Sequence, residues 1–328
     1  MKTICSNEHN EKKISARILK CLKSAWRPAF KSAFWFLKIT IPISLLVTIL
    51  NFFGVIEWVA GYLYPAFKLI GLPGKSGLVF ITSILLNIYS AIAVIVSLEF
   101  NVREATILAL MCLIAHNLIA ETIIQTKTGS SAFKMVALRI TTSILAAIFL
   151  NWALPAELAQ KINQHQQIAK MLDFAGVMKS WITNTIILSV KIIVLVNLLM
   201  LIQKILDEFN LFEFISKIIS PFLKVMGLPQ KTAFLWIIAN VIGLVYGGAI
   251  MIEEVSQGKL MKKDADLLNH HIGISHSTLE DTLLFMAIGV PAFWIVVPRL
   301  GFAMGAVWLN RFYSWIKNTT DSQIKVVE

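Results

Sequence analysis

Continuous apolar stretches, several of them as long as a membrane span, constrain this chain more than any other feature. About 20 apolar residues in a helix cross the roughly 30 Å hydrocarbon core of a bilayer. Apolar runs fall at 33–54, 57–71, 77–97, 104–126, 131–153, 182–205, 211–227, 232–252, 276–298 and 299–315. Charged residues make up only 15% of the chain and the mean hydropathy is +0.72, which excludes an ordinary soluble domain. The predicted fold class is all-α, a polytopic membrane protein with about 8–10 transmembrane helices.

Basic residues are concentrated ahead of the first apolar run. They are Lys2, Lys12, Lys13, Arg17, Lys20, Lys23, Arg27 and Lys31. Such segments stay on the cytoplasmic side of a span and are attracted to anionic lipid. We therefore interpret the net charge of +11 as a membrane-surface property and expect no nucleic-acid partner. The expected location is the bacterial inner membrane, with a cytoplasmic N-terminus and no cleaved signal peptide.

The chain contains an internal repeat. Pro65, Lys68, Gly71, Pro73 and Lys75 recur 156 residues later as Pro221, Lys224, Gly227, Pro229 and Lys231. His116, Glu121 and Thr122 recur 160 residues later as His276, Asp281 and Thr282. A polar, amphipathic stretch between the copies is typical of a helix lying in the membrane interface. The predicted organisation is a basic arm at 1–32, a first repeat at 33–154, a connector at 155–180, a second repeat at 181–316 and a cytoplasmic tail at 317–328.

The topology depends on how many segments of each repeat cross the membrane. Five crossings, an odd number, would invert the second repeat relative to the first, as in many transporters. The segments at 57–71 and 211–227 are short and carry Lys68 and Lys224. If these two are re-entrant or interfacial, the repeats are parallel. Lysine placement favours inversion. With inverted repeats, five lysines would lie on the cytoplasmic side together with both termini. They are Lys127, Lys134, Lys259, Lys262 and Lys263.

Seven polar or ionisable residues are the candidate substrate-binding residues: Asn87, His116, Asn117, Glu121, His276, Ser277 and Asp281. Ionisable groups are costly inside a membrane and usually serve a function there. His116 and Glu121 are five residues apart, about 140° around a straight helix. They can line one cavity only if the cavity is wide or the helix is broken. Because each repeat carries a histidine and a carboxylate, the two sets are expected to meet near a pseudo-two-fold axis.

The candidate residues suggest two kinds of chemistry. A histidine beside a carboxylate can hold a proton, so we expect coupling to H⁺ or Na⁺ at Glu121 and Asp281, with the histidines and asparagines contacting substrate and no organic cofactor. His116, Glu121, His276 and Asp281 are also candidate ligands of a divalent metal. The structural alternative is a histidine satisfied by a backbone carbonyl and a carboxylate at a helix end.

Other polar residues receive structural interpretations. Ser277 and Glu280 have the spacing of a capping box at a helix start. Asn87 and Gly243 are predicted to mark unwound turns that line a cavity. Four further residues are assigned to the periphery, with Arg139 and Arg299 reaching lipid headgroups and His270 and His271 in a polar loop.

Two motifs carry a family resemblance. The run from Gly71 to Ser90 resembles the Gate domain of the ferrous iron transporter B family, with which it shares Gly71, Leu72, Gly74, Lys75, Ser76 and Asn87. The stretches 115–121 (Ala-His-Asn-Leu-Ile-Ala-Glu) and 275–281 (Ser-His-Ser-Thr-Leu-Glu-Asp) resemble the nucleoside recognition Gate-domain membrane proteins, a group that includes spore maturation proteins A and B. This resemblance covers roughly residues 35–315. It implies two Gate domains and no GTPase domain. Leu86 stands at the iron family's cysteine position, which argues against a thiolate path for iron.

These features together predict a transporter of a small polar solute, either nucleoside-like, an organic ion or a metal ion. Its site is expected where the two repeats meet. No phosphate-loop, metalloprotease or nucleophile motif occurs, so an enzyme is not expected. The alternatives are a non-transporting membrane partner or assembly protein and a ferrous iron permease. Expected partners are the lipid bilayer, the solute, and a second copy of the chain or another membrane protein.

Overall fold

The computed structural model describes residues 2–98, 100–159 and 173–327. The first half contains α1 (Lys2–Phe52), α2 (Val55–Lys68), α3 (Ser76–Leu85), α4 (Ile88–Ser97), α5 (Val102–Ala115), α6 (Leu118–Lys127) and α7 (Ala132–Ala153). The second half contains α8 (Phe174–Glu208), α9 (Leu211–Val225), α10 (Ala233–Val241), α11 (Leu244–Ser256), α12 (Lys262–Ser275), α13 (Thr278–Met286) and α14 (Ala292–Val327). Most of the predicted interfacial connector, at 160–172, lies outside the described residues.

Within the described ranges, five helical stretches are long and apolar enough to cross a membrane. They are Ser15–Phe52, Val102–Lys127, Ala132–Ala153, Phe174–Glu208 and Ala292–Lys317. The predicted all-α, polytopic class is therefore confirmed. The second of these stretches is α5 followed by α6, which cross together as one interrupted helix. The predicted basic arm is continuous with the first span, because α1 runs unbroken from one into the other.

The pair α12–α13 corresponds in helix order to α5–α6. Only its second segment, α13, falls within an apolar run, because α12 is too polar to register as one; the sequence therefore predicts a polar loop at His270 and His271. That prediction is wrong, since both residues lie on α12 and are buried. The polar residues of α12 are tolerated because they pack against other helices and not against lipid.

The apolar runs at 77–97 and 232–252 do not cross the membrane, because each folds into a helical hairpin. At the base of the first hairpin, the Lys75 amine donates to the carbonyl of Leu98 and lies 4.7 Å from the centre of the Phe100 ring. In the second, a Cβ built on Gly247 would lie 3.1 Å from the Cα of Ala239, so α11 returns along α10. The four helices of the hairpins have 9 to 13 residues, about 14–20 Å, which is less than the thickness of the hydrocarbon core. Fewer helices therefore cross than the apolar runs predict.

Two further helices, α2 and α9, are also too short to span. They have 14 and 15 residues, about 21–23 Å. Neither is among the five spanning stretches. The segments at 57–71 and 211–227, whose placement the sequence left open, therefore do not cross as straight helices.

The two halves are inverted relative to each other. The first helices of the halves, α1 and α8, pack antiparallel along their length. At one end Arg17 Nε lies 2.9 Å from Glu208 Oε1, and at the other the Trp181 indole donates to Ser44 Oγ at 3.1 Å. When the more polar α12–α13 pair is counted with the five apolar stretches, each half has three crossings. Three is an odd number and produces inversion, as the five expected crossings would have done. The domain boundaries proposed from the sequence stay predictions.

The backbone repeats more closely than the side chains. Four matched pairs of residues adopt the left-handed conformation: Gly54 and Asn210, Gly71 and Gly227, Asn117 and Ser277, and Gly129 and Gly289. Glycine adopts this conformation freely and asparagine tolerates it, whereas serine pays a conformational cost. A serine held at φ 51° indicates that the surrounding contacts impose the turn.

One side of the molecule, here called the lysine-rich face, contains the α6–α7 turn and the start of α12. A Cβ built on Gly129 would lie 3.2 Å from the Cβ of Lys262, so the two turns touch. Lys231 Nζ lies 2.6 Å from Asp264 Oδ2 on the same face. The lysines predicted to share one side lie in or beside these turns: Lys127, Lys134, Lys259, Lys262 and Lys263. That this face is cytoplasmic stays a prediction.

The left-handed turn at Ser277 provides a test of the fold. Ser277→Gly should raise the free energy of unfolding by about 1 kcal/mol, because glycine removes the cost of a left-handed L-residue. Ser277→Val should lower the melting temperature of the detergent-purified protein, and Asn117→Gly should change it little. Equal melting temperatures for the glycine and valine variants would contradict the assigned turn.

Candidate functional site at two broken helices

The interruptions of α5–α6 and α12–α13 are built in the same way. His116 and His276 end the first segments with ψ 157° and 164°, and the left-handed Asn117 and Ser277 start the second. The left-handed residue turns its N–H out of the helix. Asn117 N–H donates to the Ser83 carbonyl and Ser277 N–H to the Ala239 carbonyl, both at 2.9 Å. Each break is therefore fastened to the hairpin of its own half, about halfway across the membrane.

The break solves the geometric problem posed by His116 and Glu121. On a straight helix they would point about 140° apart. Across the break, His116 Nε2 lies 3.4 Å from Glu121 Oε1. The break in the helix therefore allows both side chains to face the same point, as the sequence analysis required.

The histidines and carboxylates of the two halves meet in one buried cluster, here called the ionic centre. His276 Nε2 lies 3.3 Å from His116 Nε2 and 3.1 Å from Glu121 Oε1. Asp281 Oδ2 lies 3.9 Å from His116 Nε2. All four side chains are buried. The structure therefore brings together these four of the seven candidate residues, while their substrate-binding role stays a prediction.

The other three candidates do not take part in the contacts of the ionic centre, although Asn117 and Ser277 each follow one of its histidines in the chain. Asn87 caps α4, because its Oδ1 accepts from the backbone N–H and the hydroxyl of Ser90 at 3.0 and 3.1 Å. Asn117 and Ser277 contribute mainly through their backbone turns. The expected turns at Asn87 and Gly243 are the tips of the two hairpins.

Arg139 and Arg299, expected to reach headgroups, instead complete the ionic centre. Both side chains are fully buried. Arg139 Nε donates to the Ile114 carbonyl at 2.8 Å and Arg299 Nε to the Ile274 carbonyl at 2.6 Å. A helix that ends inside a membrane leaves its last carbonyls without partners, and a guanidinium satisfies them. Sequence reasoning missed this role, although the two arginines stand 160 residues apart, like the motifs they serve.

The arginines also pair with the carboxylates. Arg139 Nη2 lies 2.8 Å from Glu121 Oε2, and Arg299 Nη2 lies 3.8 Å from Asp281 Oδ2. Arginine remains charged in proteins, and a buried charge is tolerated only when it is paired. Two guanidinium groups and two carboxylates balance, so the ionic centre is neutral when both histidines are neutral.

Backbone contacts fix the tautomer of each histidine. His116 Nδ1 lies 3.1 Å from the Cys112 carbonyl, and His276 Nδ1 lies 2.7 Å from the Ile272 carbonyl. A carbonyl oxygen only accepts, so each Nδ1 must carry hydrogen. A neutral ring then presents a lone pair at Nε2. Two such nitrogens and a carboxylate oxygen within 3.4 Å repel each other unless they share a proton or another cation.

His116, Glu121 and His276 also form a candidate metal-binding group, because their possible ligand atoms all lie within 4.8 Å of one another. The charge balance fits a proton better than a divalent ion. Glu121 is already paired with Arg139, and a divalent ion would leave two excess positive charges beside two guanidinium groups in a medium of low dielectric constant.

The predicted capping box at Ser277 and Glu280 does not form. Ser277 makes no side-chain cap, because a capping residue needs an extended backbone and Ser277 is left-handed. Glu280 Oε1 instead accepts from the Tyr89 hydroxyl at 2.6 Å. This bond links the second half to the hairpin of the first.

Two cavities lie away from the ionic centre. One of about 730 Å³ has many polar lining groups from α1, α2 and α8, including Ser44, Asn51 and Asn184. One of about 840 Å³ is lined mainly by apolar side chains of α7 and α14. Neither is lined by any of the seven candidate residues.

Comparison with known proteins supports the membrane assignment. The chain is 29% identical over 265 residues to the uncharacterized membrane protein YvoD of Bacillus subtilis (strain 168), covering 80% of this chain and 85% of that protein. The protein is an integral membrane protein. No family model matches the chain. No solved structure matches it.

The Arg139–Glu121 pair generates a second test. Arg139→Leu or Glu121→Leu alone should each cost about 3–5 kcal/mol, because each leaves a buried charge without its partner. The double variant should be more stable than the sum of the two losses predicts. The melting temperatures of the four proteins in detergent give the coupling. Additive losses would show that the two side chains do not pair.

Proposed function

We propose that the protein is a secondary transporter that moves a small polar solute in exchange or symport with a proton. The observation that carries the proposal is the convergence of two broken helices, two hairpin tips and six ionisable side chains midway through an inverted repeat. Discontinuous helices at the interface of inverted repeats commonly form the sites of secondary transporters. The proposed location is the bacterial inner membrane, with the lysine-rich face in the cytoplasm.

The resemblance to nucleoside recognition Gate-domain proteins supports a nucleoside-like or organic-ion solute. The Asn117 amide directly follows His116 in the chain, and the Asn87 amide lies at the tip of the first hairpin. Both offer neutral hydrogen-bonding groups to such a solute. The charged groups, by contrast, are engaged with one another. We assign the asparagines to solute contact and the histidines and carboxylates to the coupling proton.

Proton binding would act on the helix breaks through Arg139. Protonation of Glu121 removes the charge that pairs with the guanidinium. The same guanidinium donates to the Ile114 and His116 carbonyls at the end of α5. Occupancy of the proton site is thereby coupled to the geometry of the break, which is where a transporter must move.

Uptake into proteoliposomes tests this function. Pools of nucleosides, amino acids, organic acids and divalent metals would be screened under an imposed pH gradient. Once a solute is found, Glu121→Gln and Asp281→Asn should lower uptake by at least about tenfold, because neither amide can exchange a proton at neutral pH. Glu121→Asp, which keeps a carboxylate, is the matched control and should retain partial uptake. Full pH-driven uptake by both amide variants would refute the coupling role.

A non-transporting membrane partner is the second candidate. It is favoured by the mutual pairing of the charged groups in the ionic centre, which could serve stability alone. Cysteines placed by Asn87→Cys and Asn117→Cys separate the two readings. A transporter should expose both to a water-soluble thiol reagent during its cycle, whereas a purely structural centre should keep both unreactive. Uptake of ferrous iron in the same screen would support the permease alternative.

A further inference from the structure

A row of buried polar side chains runs from the ionic centre to the lysine-rich face between α6 and α12. We call it the polar file, and its members are Thr122, Gln125, Thr128, Ser130 and Asn269. The first three recur at intervals of three residues along and just beyond α6, so they share one side of it. All five side chains are at most 6% exposed.

The outer half of the file is joined by hydrogen bonds. Asn269 Nδ2 donates to Thr128 Oγ1 at 2.7 Å and to Ser130 Oγ at 2.9 Å. The Ser130 hydroxyl donates to Asp266 Oδ1 at 2.7 Å. Asp266 Oδ2 lies 3.7 Å from Lys134 Nζ, whose side chain is 44% exposed. The file therefore ends at a charged pair on the lysine-rich face.

The inner half contains buried polar atoms without a protein partner. The Gln125 side chain is fully buried, and neither its Oε1 nor its Nε2 has a hydrogen-bond partner among the described residues. The same holds for Thr122 Oγ1 and Asn269 Oδ1. Gly273 makes room for the amide, because a Cβ there would lie 2.8 Å from Gln125 Nε2. Buried polar atoms without a protein partner suit a chain of bound water, which satisfies groups of this kind.

The inverted repeat supplies an internal control. Moving the positions by 160 residues gives the corresponding row on the other side of the ionic centre. At the inner end, beside the carboxylates, Thr122 keeps a polar counterpart in Thr282, and the difference begins one turn farther out. Gln125, Thr128 and Ser130 correspond to Phe285, Ile288 and Val290. Asn269 and Gly273 correspond to Ala109 and Leu113. These five side chains are buried and apolar. Beyond the two threonines, the row is therefore polar toward the lysine-rich face and apolar toward the other.

We infer that the polar file is a hydrated route by which water and protons reach the ionic centre from the lysine-rich face alone. The use of that proton in transport rests on the proposed function, but the route does not. Thr122, next to Glu121 in the chain, and Gln125, one helical turn beyond it, form the inner end of the route. The Asp266–Lys134 pair forms its mouth.

Thiol accessibility tests the route without any transport assay. Gln125→Cys and Asn269→Cys would be compared with Phe285→Cys and Ala109→Cys, the matched positions of the apolar row. The background would carry alanine at Cys5, Cys21 and Cys112 and retain the parent melting temperature. The first pair should react with a small cationic methanethiosulfonate at least roughly tenfold faster than the second, since a thiol in dry packing is inert.

The reagent should be effective only from the lysine-rich face of oriented vesicles. Equal rates for the two pairs, or labelling of the first pair from both faces, would overturn the inference. Lack of labelling at all four positions would likewise do so, because it would leave the file as polar packing between helices.

A second measurement covers the case in which a cysteine variant misfolds. Gln125→Phe combined with Asn269→Ala copies the apolar row into the polar file. Amide hydrogen exchange of the peptide spanning the α5–α6 break should slow at least roughly tenfold, because the route for water is removed. Phe285→Leu, which keeps the other row apolar, should leave exchange unchanged. Unchanged exchange in the double variant would argue against the route.

The two proposals can fail separately. Selective labelling of the file with no solute uptake would retain the route and reject the transporter. Proton-coupled uptake with an unreactive file would retain the transporter and reject the route.

Discussion

The structure depends on how helices can end inside a membrane. A break in the middle of a span leaves carbonyl groups without partners where water is scarce, and such groups are costly there. In this protein Arg139 and Arg299 satisfy those carbonyls at the two breaks, and Glu121 and Asp281 balance the two buried charges. The ionic centre is therefore the means by which the breaks are stabilised as well as the candidate site. A change in protonation at the site necessarily changes the support of the backbone around it.

The inverted repeat makes the backbone of the two halves nearly symmetric, whereas side chains that differ between the halves make the two faces of the molecule different. The left-handed turns, the hairpins and the arginines match between halves, so the scaffold is close to symmetric. The side chains that flank the ionic centre are not symmetric, because Gln125 and Asn269 stand where the other half has Phe285 and Ala109. A symmetric scaffold permits two equivalent conformations, and an asymmetric lining distinguishes the two faces.

Much of the fold was predictable because a membrane imposes simple rules on composition. The apolar runs predicted an all-α membrane protein, and the recurrence of His116 and Glu121 as His276 and Asp281 predicted that these four would meet. The hairpins were not predictable from hydropathy, since a re-entrant pair of helices has the same composition as a single span. The buried roles of Arg139, Arg299, His270 and His271 were missed because isolated polar residues near a helix end are equally compatible with headgroups or loops.

The sequence by itself determined the class of protein, the duplication and the identity of the paired ionisable residues, because each follows from local composition or from self-similarity. The tertiary structure alone decided that both helices break at the histidines, that the arginines turn inward, and that one side of the ionic centre is lined with polar groups. These features depend on contacts between residues far apart in the chain. No local pattern specifies which distant carbonyl, carboxylate or amide a side chain will face.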